Sequence, residues 1–335
     1  MLDEPALELK QTMNLTGYQI SCLLEAASST PPETPLIIVV PPYSKTMREL
    51  LVTSMYMSYN GFRACRFDFS NHVGISEGRI FDFTLSSAIE DLRAVIESVR
   101  SWYPEARMGV ISSSLGSRVA LRALRDRSDV RALVSLVGVV NLRATLSRIL
   151  GRDFIGDYVG GQPLPDSREV LGYEIGRRFL VDLVERDAFS LESAKEDLRA
   201  CPFPVVEILA EADTWTEVHD VEEVFRSSSS SAPRQAYVLP HTSHKLENNP
   251  SAARLALSLA VVILKRELLG ESLECDDVIS PSFPEIVRRN RVERGIERSV
   301  TIRNNLEGES VPVQPRASAL DSSASLKMQP ARSSG

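Results

Sequence analysis

Ser114 lies in Val110-Ile111-Ser112-Ser113-Ser114-Leu115-Gly116-Ser117, where an apolar, strand-like run breaks into a helix-forming one with hydroxyls at the break. A serine at such a bend is a candidate nucleophile, because the turn holds it in a strained and protruding conformation. The bend closes only if the residues two before and two after it are small, since strand and helix pass close together there. Ser114 alone meets that condition, with Ser112 and Gly116 on its flanks. The same test puts Val110 beside Ser112, Ile111 and Leu115 around Ser113, and Leu115 before Ser117. A Ser-rich turn that only caps a helix is the competing reading. A serine hydroxyl is also a weak nucleophile near neutral pH. A histidine must take its proton, and a carboxylate must orient that histidine.

The elements able to bring such groups together are legible as an alternation. Apolar, β-rich runs occur at Tyr18–Leu24, Leu36–Val40, Arg63–Phe67, Met108–Ile111, Ala132–Val137, Val205–Leu209 and Ala236–Leu239, most of them separated by helix-like segments. This predicts a mainly parallel sheet covered on both faces. The clearest helix carries Leu85, Ala88, Ile89, Leu92, Val95, Ile96, Val99 and Trp102 on one face, with Glu90, Arg93, Glu97 and Arg100 outside. The run Leu255 to Leu264 reads as a buried helix, opened by Asn249 and Pro250 and closed by Gly270. With a serine elbow after a central strand, the architecture is that of an α/β-hydrolase fold. Between Val137 and Pro204 the alternation is interrupted for about sixty residues, which reads as an inserted helical cap over the strand ends rather than ordinary crossover helices. The predicted organisation is a hydrolase domain over residues 1–300, with the cap at about 139–203, and a tail over 301–335 whose Ser, Pro, Asn and charge cannot bury enough surface to order. Arg288 to Arg298 reads as a solvated helix, and Ser227–Ser231 as a flexible loop.

In this fold the acid and then the base follow the nucleophile in the chain, so His72 is excluded as base. Of the three remaining histidines, His219 falls one strand too early. His241 and His244 both follow the Ala236–Leu239 strand; His244 is preferred because it stands farther past the strand end, with His241, directly after Pro240, as the alternative. The acid belongs in Ala210-Glu211-Ala212-Asp213-Thr214-Trp215. Asp213 is preferred over Glu211, although capping of the following helix competes for the same carboxylate. Two N–H donors must face the developing oxyanion. Leu115 is one, and Tyr43, the first residue with an N–H after Pro41-Pro42, is the other.

Composition narrows the class. A net charge of −7 gives no electrostatic reason to expect nucleic-acid binding, and no DNA-reading motif occurs. Asp3, Glu4 and Glu8 stand where a secretory signal would carry positive charge, and the longest apolar run is far short of the ~20 residues of a membrane span. Cys22, Cys65, Cys201 and Cys275 are scattered without metal-type pairing. Cytoplasmic placement is therefore expected, with no transmembrane segment, metal or cofactor.

With these residues assembled, the chain resembles the bacterial luminescence acyl-transferase family, the thioesterases that release myristic acid from acyl carrier protein. The resemblance runs from about Tyr18 to about Arg298. It rests on Asn71-His72-Val73-Gly74-Ile75-Ser76-Glu77-Gly78, Ser113-Ser114-Leu115, Val137-Gly138-Val139-Val140-Asn141-Leu142-Arg143, Asp213-Thr214-Trp215 and Ser243-His244. It implies a fatty-acyl thioester substrate carried on acyl carrier protein, a reductase or synthetase partner, and a triad at Ser114, Asp213 and His244. Pro41-Pro42, Gly116 and the extra tail depart from the family pattern. Leu146, Ile149, Leu150 and Phe154 are then candidates to line an acyl tunnel or simply to fill the core, and Arg143, Arg148 and Arg152 to meet an acidic carrier or simply to face solvent. Two other functions fit the same residues: an esterase or polyketide-processing hydrolase with this triad, and a hydrolase-fold binding module without turnover.

Overall fold

The computed structural model describes residues 6–26, 29–227 and 232–306. Its strands are β1 (Ala6–Met13), β2 (Gln19–Ala26), β3 (Leu36–Val40), β4 (Arg63–Phe67), β5 (Met108–Ser113), β6 (Val130–Leu136), β7 (Ser167–Val170), β8 (Tyr173–Gly176), β9 (Val205–Ala210) and β10 (Arg234–Leu239). Its helices are α1 (Leu51–Tyr59), α2 (Leu85–Trp102), α3 (Leu115–Ala123), α4 (Leu142–Leu150), α5 (Phe154–Val159), α6 (Arg178–Glu185), α7 (Leu191–Arg199), α8 (Val218–Ser227), α9 (Pro250–Leu269) and α10 (Phe283–Leu306).

Leu36–Val40 is apolar and buried at every position, a pattern stable only for a strand covered on both faces. It sits centrally in an eight-stranded sheet of order β1-β2-β4-β3-β5-β6-β9-β10. β2 runs antiparallel to both of its neighbours, and the other pairings are parallel. Alternate residues divide the core. Leu36, Ile38, Val40 and Val110 face α2, α3 and α7, whereas Ile37, Val39, Ile111 and Val134 face α1 and α9. The helical period read in the sequence covers α2 from end to end, burying Leu85, Ala88, Ile89, Leu92, Val95, Ile96 and Val99. α9 begins where its caps place it: Asn249 accepts the Ala252 N–H, Pro250 opens the helix, and Gly270 closes it at a φ of 73°.

The sequence reading missed three strands. β1 is an edge strand whose alternating Ala6-Leu7-Glu8-Leu9 pattern is diluted by Lys10, Gln11 and Thr12. β7 and β8, four residues each, form a hairpin too short and too polar to stand out. Between β6 and β9 the chain forms α4, α5, this hairpin, α6 and α7. α7 packs between α3 and α8 in the layer that covers the sheet.

α10 departs most from expectation. It is a helix, and it is not solvated on every side: Arg289 and Glu293 are buried. Arg66 on β4 donates to both Glu293 oxygens, at 3.1 and 2.5 Å, while Arg289 reaches Glu25 on β2 at 3.2 Å. Arg48 pairs with Glu297. The partners of these charges, Glu25, Arg48 and Arg66, lie more than 200 residues earlier, so no pattern local to α10 reveals them. α10 continues to Leu306, and the rest of the tail lies outside the described residues, as does 228–231 of the Ser-rich loop. Cys22 and Cys65 are buried on the adjacent strands β2 and β4.

Candidate active site

β5 ends at Ser113 and α3 starts at Leu115, so Ser114 alone makes the turn between them, with φ 50° and ψ −124°. A side chain in that region is strained by about 1–3 kcal/mol and persists only where its surroundings over-determine it. Here they do. The Ser114 N–H donates to the Leu136 carbonyl, and the Ser114 carbonyl accepts from Ser117 and Val139, each at 3.1 Å. Gly116 is small because α3 crosses the end of β3: a Cβ there would lie 2.5 Å from the Pro41 carbonyl oxygen. Leu115 is the first residue of α3, where leading N–H groups have no intrahelical acceptor.

The loops after β9 and β10 are tied to each other, Glu211 N–H to the Leu239 carbonyl at 3.0 Å and Ala212 N–H to the Thr242 carbonyl at 2.8 Å. This brings the side chains of Asp213 and His244 together. His244 Nδ1 lies 2.7 Å from Asp213 Oδ2, and its Nε2 lies 2.8 Å from Ser114 Oγ. With the proton on Nδ1 and directed to the carboxylate, the Nε2 lone pair faces the serine hydroxyl. The side chains of Asp213 and His244 are buried, whereas Ser114 is half-buried, so the serine is the more accessible end of the hydrogen-bonded set. Trp215 packs on the imidazole with ring centroids 4.6 Å apart.

Asp213 does two jobs that the sequence reading set against each other. Oδ2 meets the imidazole, while Oδ1 accepts the N–H groups of Trp215 and Thr216 at 2.8 and 3.0 Å. α8 starts only at Val218, so the capped element is the turn before it, and the carboxylate has one oxygen for each task. The alternatives lie elsewhere. His241 is 94% exposed and Glu211 accepts its N–H at 2.8 Å; His219 is exposed on α8. His72 is buried, and burial pushes its imidazole down to about 3, so it is neutral where it accepts the Ser44 N–H at 3.1 Å. Tyr43 precedes that residue in the loop after β3, packing edge-on against His72 and Phe83.

The contacts that the inserted segment makes around the site are not readable in one sequence. On α4, Thr145 and Arg148 donate to the Trp215 carbonyl at 2.9 and 3.1 Å, bracing the acid loop from the inserted segment. Arg143, Arg148 and Arg152 are each ion-paired within the chain, with Asp153, Glu217 and Asp157. Leu146 and Phe154 are buried, and Leu146 and Leu150 join Val170, Ile175, Phe179 and Leu180 around an apolar cavity with room for about one water. Glu207, beneath the elbow, is a buried carboxyl near the site; burial, opposed by bonds from Ser135 and Gly138, pushes it up to about 7.

Solved structures of the same architecture include esterases. The chain superposes on Est1E from Butyrivibrio proteoclasticus with ferulic acid bound at a TM-score of 0.64, with 16% identity over 78% of this chain and 99% of that one. For the esterase Pf2001 from Pyrococcus furiosus the TM-score is 0.57, with 19% identity over 78% and 93% of the two chains. These likenesses establish the α/β-hydrolase fold. In sequence, the chain is 29% identical to the acyl transferase of Photobacterium phosphoreum, covering 79% of this chain and 85% of that one. It is likewise 29% identical to the acyl transferase of Shewanella hanedai, over 79% and 86%. The family model described as acyl transferase matches residues 26–301, which span the elbow, both loops of the relay and most of α10. A strained serine, its hydrogen-bonded imidazole and a match of that extent converge on one statement: this chain belongs to the acyl transferase family.

Proposed function

We propose that the protein is a serine-dependent acyltransferase or thioesterase that takes a fatty-acyl group from a thioester, carried on acyl carrier protein, through an acyl-enzyme. The observation that carries this reading is the unbroken Ser114–His244–Asp213 relay on a strained elbow. Ser114 Oγ attacks the thioester carbonyl as its proton passes to His244 Nε2, and Asp213 stabilises the resulting imidazolium. The N–H groups of Leu115 and Tyr43 serve the tetrahedral oxyanion. On collapse the carbon–sulfur bond breaks, and His244 returns the proton to the departing thiolate. Water or another hydroxyl acceptor then gives its proton to His244 and attacks the ester, releasing acid or transferred acyl group and restoring Ser114.

The segment between β6 and β9 acts in this reading as a cap that holds the acyl chain. Rings run from Tyr43 to Phe83 to Phe179 with centroids 5.8 Å apart at each step, leading from the loop after β3 to the apolar lining of α4, α6 and the hairpin. The cavity there is too small for a chain of many carbons, so side chains of the hairpin must give way as substrate enters. Internal pairing of Arg143, Arg148 and Arg152 leaves the carrier to be recognised by a surface whose net charge is reduced, and placement in the cytoplasm follows from a carrier-bound substrate.

Incubation with a mixture of acyl thioesters of graded chain length, followed by mass spectrometry of the protein, tests the reading. One acyl group on Ser114, with a preference for long chains, is the expected result. Turnover confined to small esters would favour the esterase alternative, and no adduct or turnover would favour a binding module.

A further inference from the structure

Beneath the elbow, on the face covered by α2 and α3, three polar side chains stand in one row. Ser112 on β5 pairs with Ser135 on β6, which pairs with Glu207 on β9, and each is at most 2% exposed. Ser117, in the first turn of α3, joins the first two, its Oγ 3.0 Å from Ser112 Oγ and 2.7 Å from Ser135 Oγ. The Ser135 hydroxyl stands beside the Glu207 carboxyl, both against Gly138, and Glu207 Oε1 accepts the Gly138 N–H at 2.6 Å. A Cβ on Gly138 would lie 2.3 Å from Ser135 Oγ and 2.6 Å from Glu207 Oε2, so backbone and carboxyl are in direct contact.

A carboxyl buried inside a sheet is costly, and an apolar side chain would fill the same place without that cost. What Glu207 grips gives the reason for it. Leu136 and Val139 hold the Ser114 N–H and carbonyl, and between them Val137 is bent to a φ of 47°, a genuine outlier for a β-branched residue. Gly138 follows it directly, so the carboxyl fixes the turn that fixes the serine backbone.

We propose that Glu207 is a positioning residue for the nucleophile: it anchors the Leu136–Val139 turn and, through Ser135 and Ser117, the first turn of α3, keeping Ser114 Oγ aimed at His244. Ser112, which stands where such elbows usually carry glycine, ends this chain of hydroxyls. The inference rests on the reading of Ser114 as nucleophile.

The test compares Glu207→Gln, which keeps an acceptor for Gly138, with Glu207→Leu, which fills the space without one, and with Ser135→Ala, a smaller change. Two quantities are read per folded molecule, with folding checked by near-ultraviolet circular dichroism: the rate of Ser114 labelling by a fluorophosphonate, and kcat and KM for an acyl thioester. Glu207→Leu is expected to slow labelling and kcat by about 10- to 100-fold with little change in KM, the size associated with a misplacement near 1 Å. Ser135→Ala should lose less, and Glu207→Gln should restore the rate to within about 3-fold of wild type. Wild-type labelling rates in Ser135→Ala and in Glu207→Leu, or in Ser135→Ala alone if the leucine variant does not fold, would make Glu207 purely structural and overturn the proposal. Wild-type enzyme that never labels would instead remove the nucleophile reading, and this inference with it.

Discussion

Two groups of polar side chains are gathered from distant parts of this chain, and they behave differently. At the rim of the sheet Ser114, His244 and Asp213 form a one-directional relay that ends on a half-buried hydroxyl with strained backbone. Where α10 docks, Glu25, Arg66, Arg289 and Glu293 meet with side chains at most 6% exposed, and none of the four has positive φ. In the second group every charge faces an opposite one, so no lone pair is left for a substrate. Burial of charge and long sequence separation are common to both. A half-buried end residue and local strain belong only to the first, which is why the proposed chemistry is placed there.

Breaking each group should therefore have opposite signatures. Ser114→Ala is expected to lower kcat/KM by on the order of 10⁴-fold or more, with little change in the urea unfolding midpoint. Glu293→Ala takes from buried Arg66 its bidentate partner, leaving Glu25 at 3.6 Å, and should cost about 3 kcal/mol in urea unfolding, while the protein that stays folded labels at Ser114 at the wild-type rate. A Glu293→Ala protein that kept its stability but lost activity would reverse the comparison.

A smaller effect sharpens it through pH. Burial raises Glu207 from 4.5 to about 7, so within that window the native state holds a proton that the unfolded chain has released. Stability then falls as pH rises through the window, and Asp68, raised from 3.8 to about 7 by its own burial, acts in the same direction. Glu207→Gln has no proton to lose, so its Tm should fall less than that of wild type between about pH 5 and pH 8. An equal fall in both would show that Glu207 does not titrate there. The smallest effect is expected at His241, whose exposed ring should tolerate alanine with activity within about 2-fold. A large loss there would move the base away from His244.

How much of this was legible in the sequence depended on whether the signal was local. The elbow around Ser114 advertises itself through the sizes of Ser112 and Gly116, α9 through Asn249, Pro250 and Gly270, and α2 through its period. Strand ends located Asp213 and His244 closely enough to choose them over Glu211 and His241. The division of labour between the two oxygens of Asp213 was not readable, because it depends on where α8 begins. Nor was the burial of one face of α10, whose charge pattern fits solvent as well as it fits Glu25 and Arg66. Glu207 sits between Val206 and Ile208 and reads as one polar interruption of a strand; its meaning appears only when β5, β6 and β9 lie side by side.

Activation of Ser114 by His244 is open to covalent labelling with a fluorophosphonate followed by peptide mapping. One adduct per chain is expected, located on Ser114, absent in Ser114→Ala and slowed strongly in His244→Ala. An adduct on another residue, or labelling unaffected by loss of His244, would contradict it.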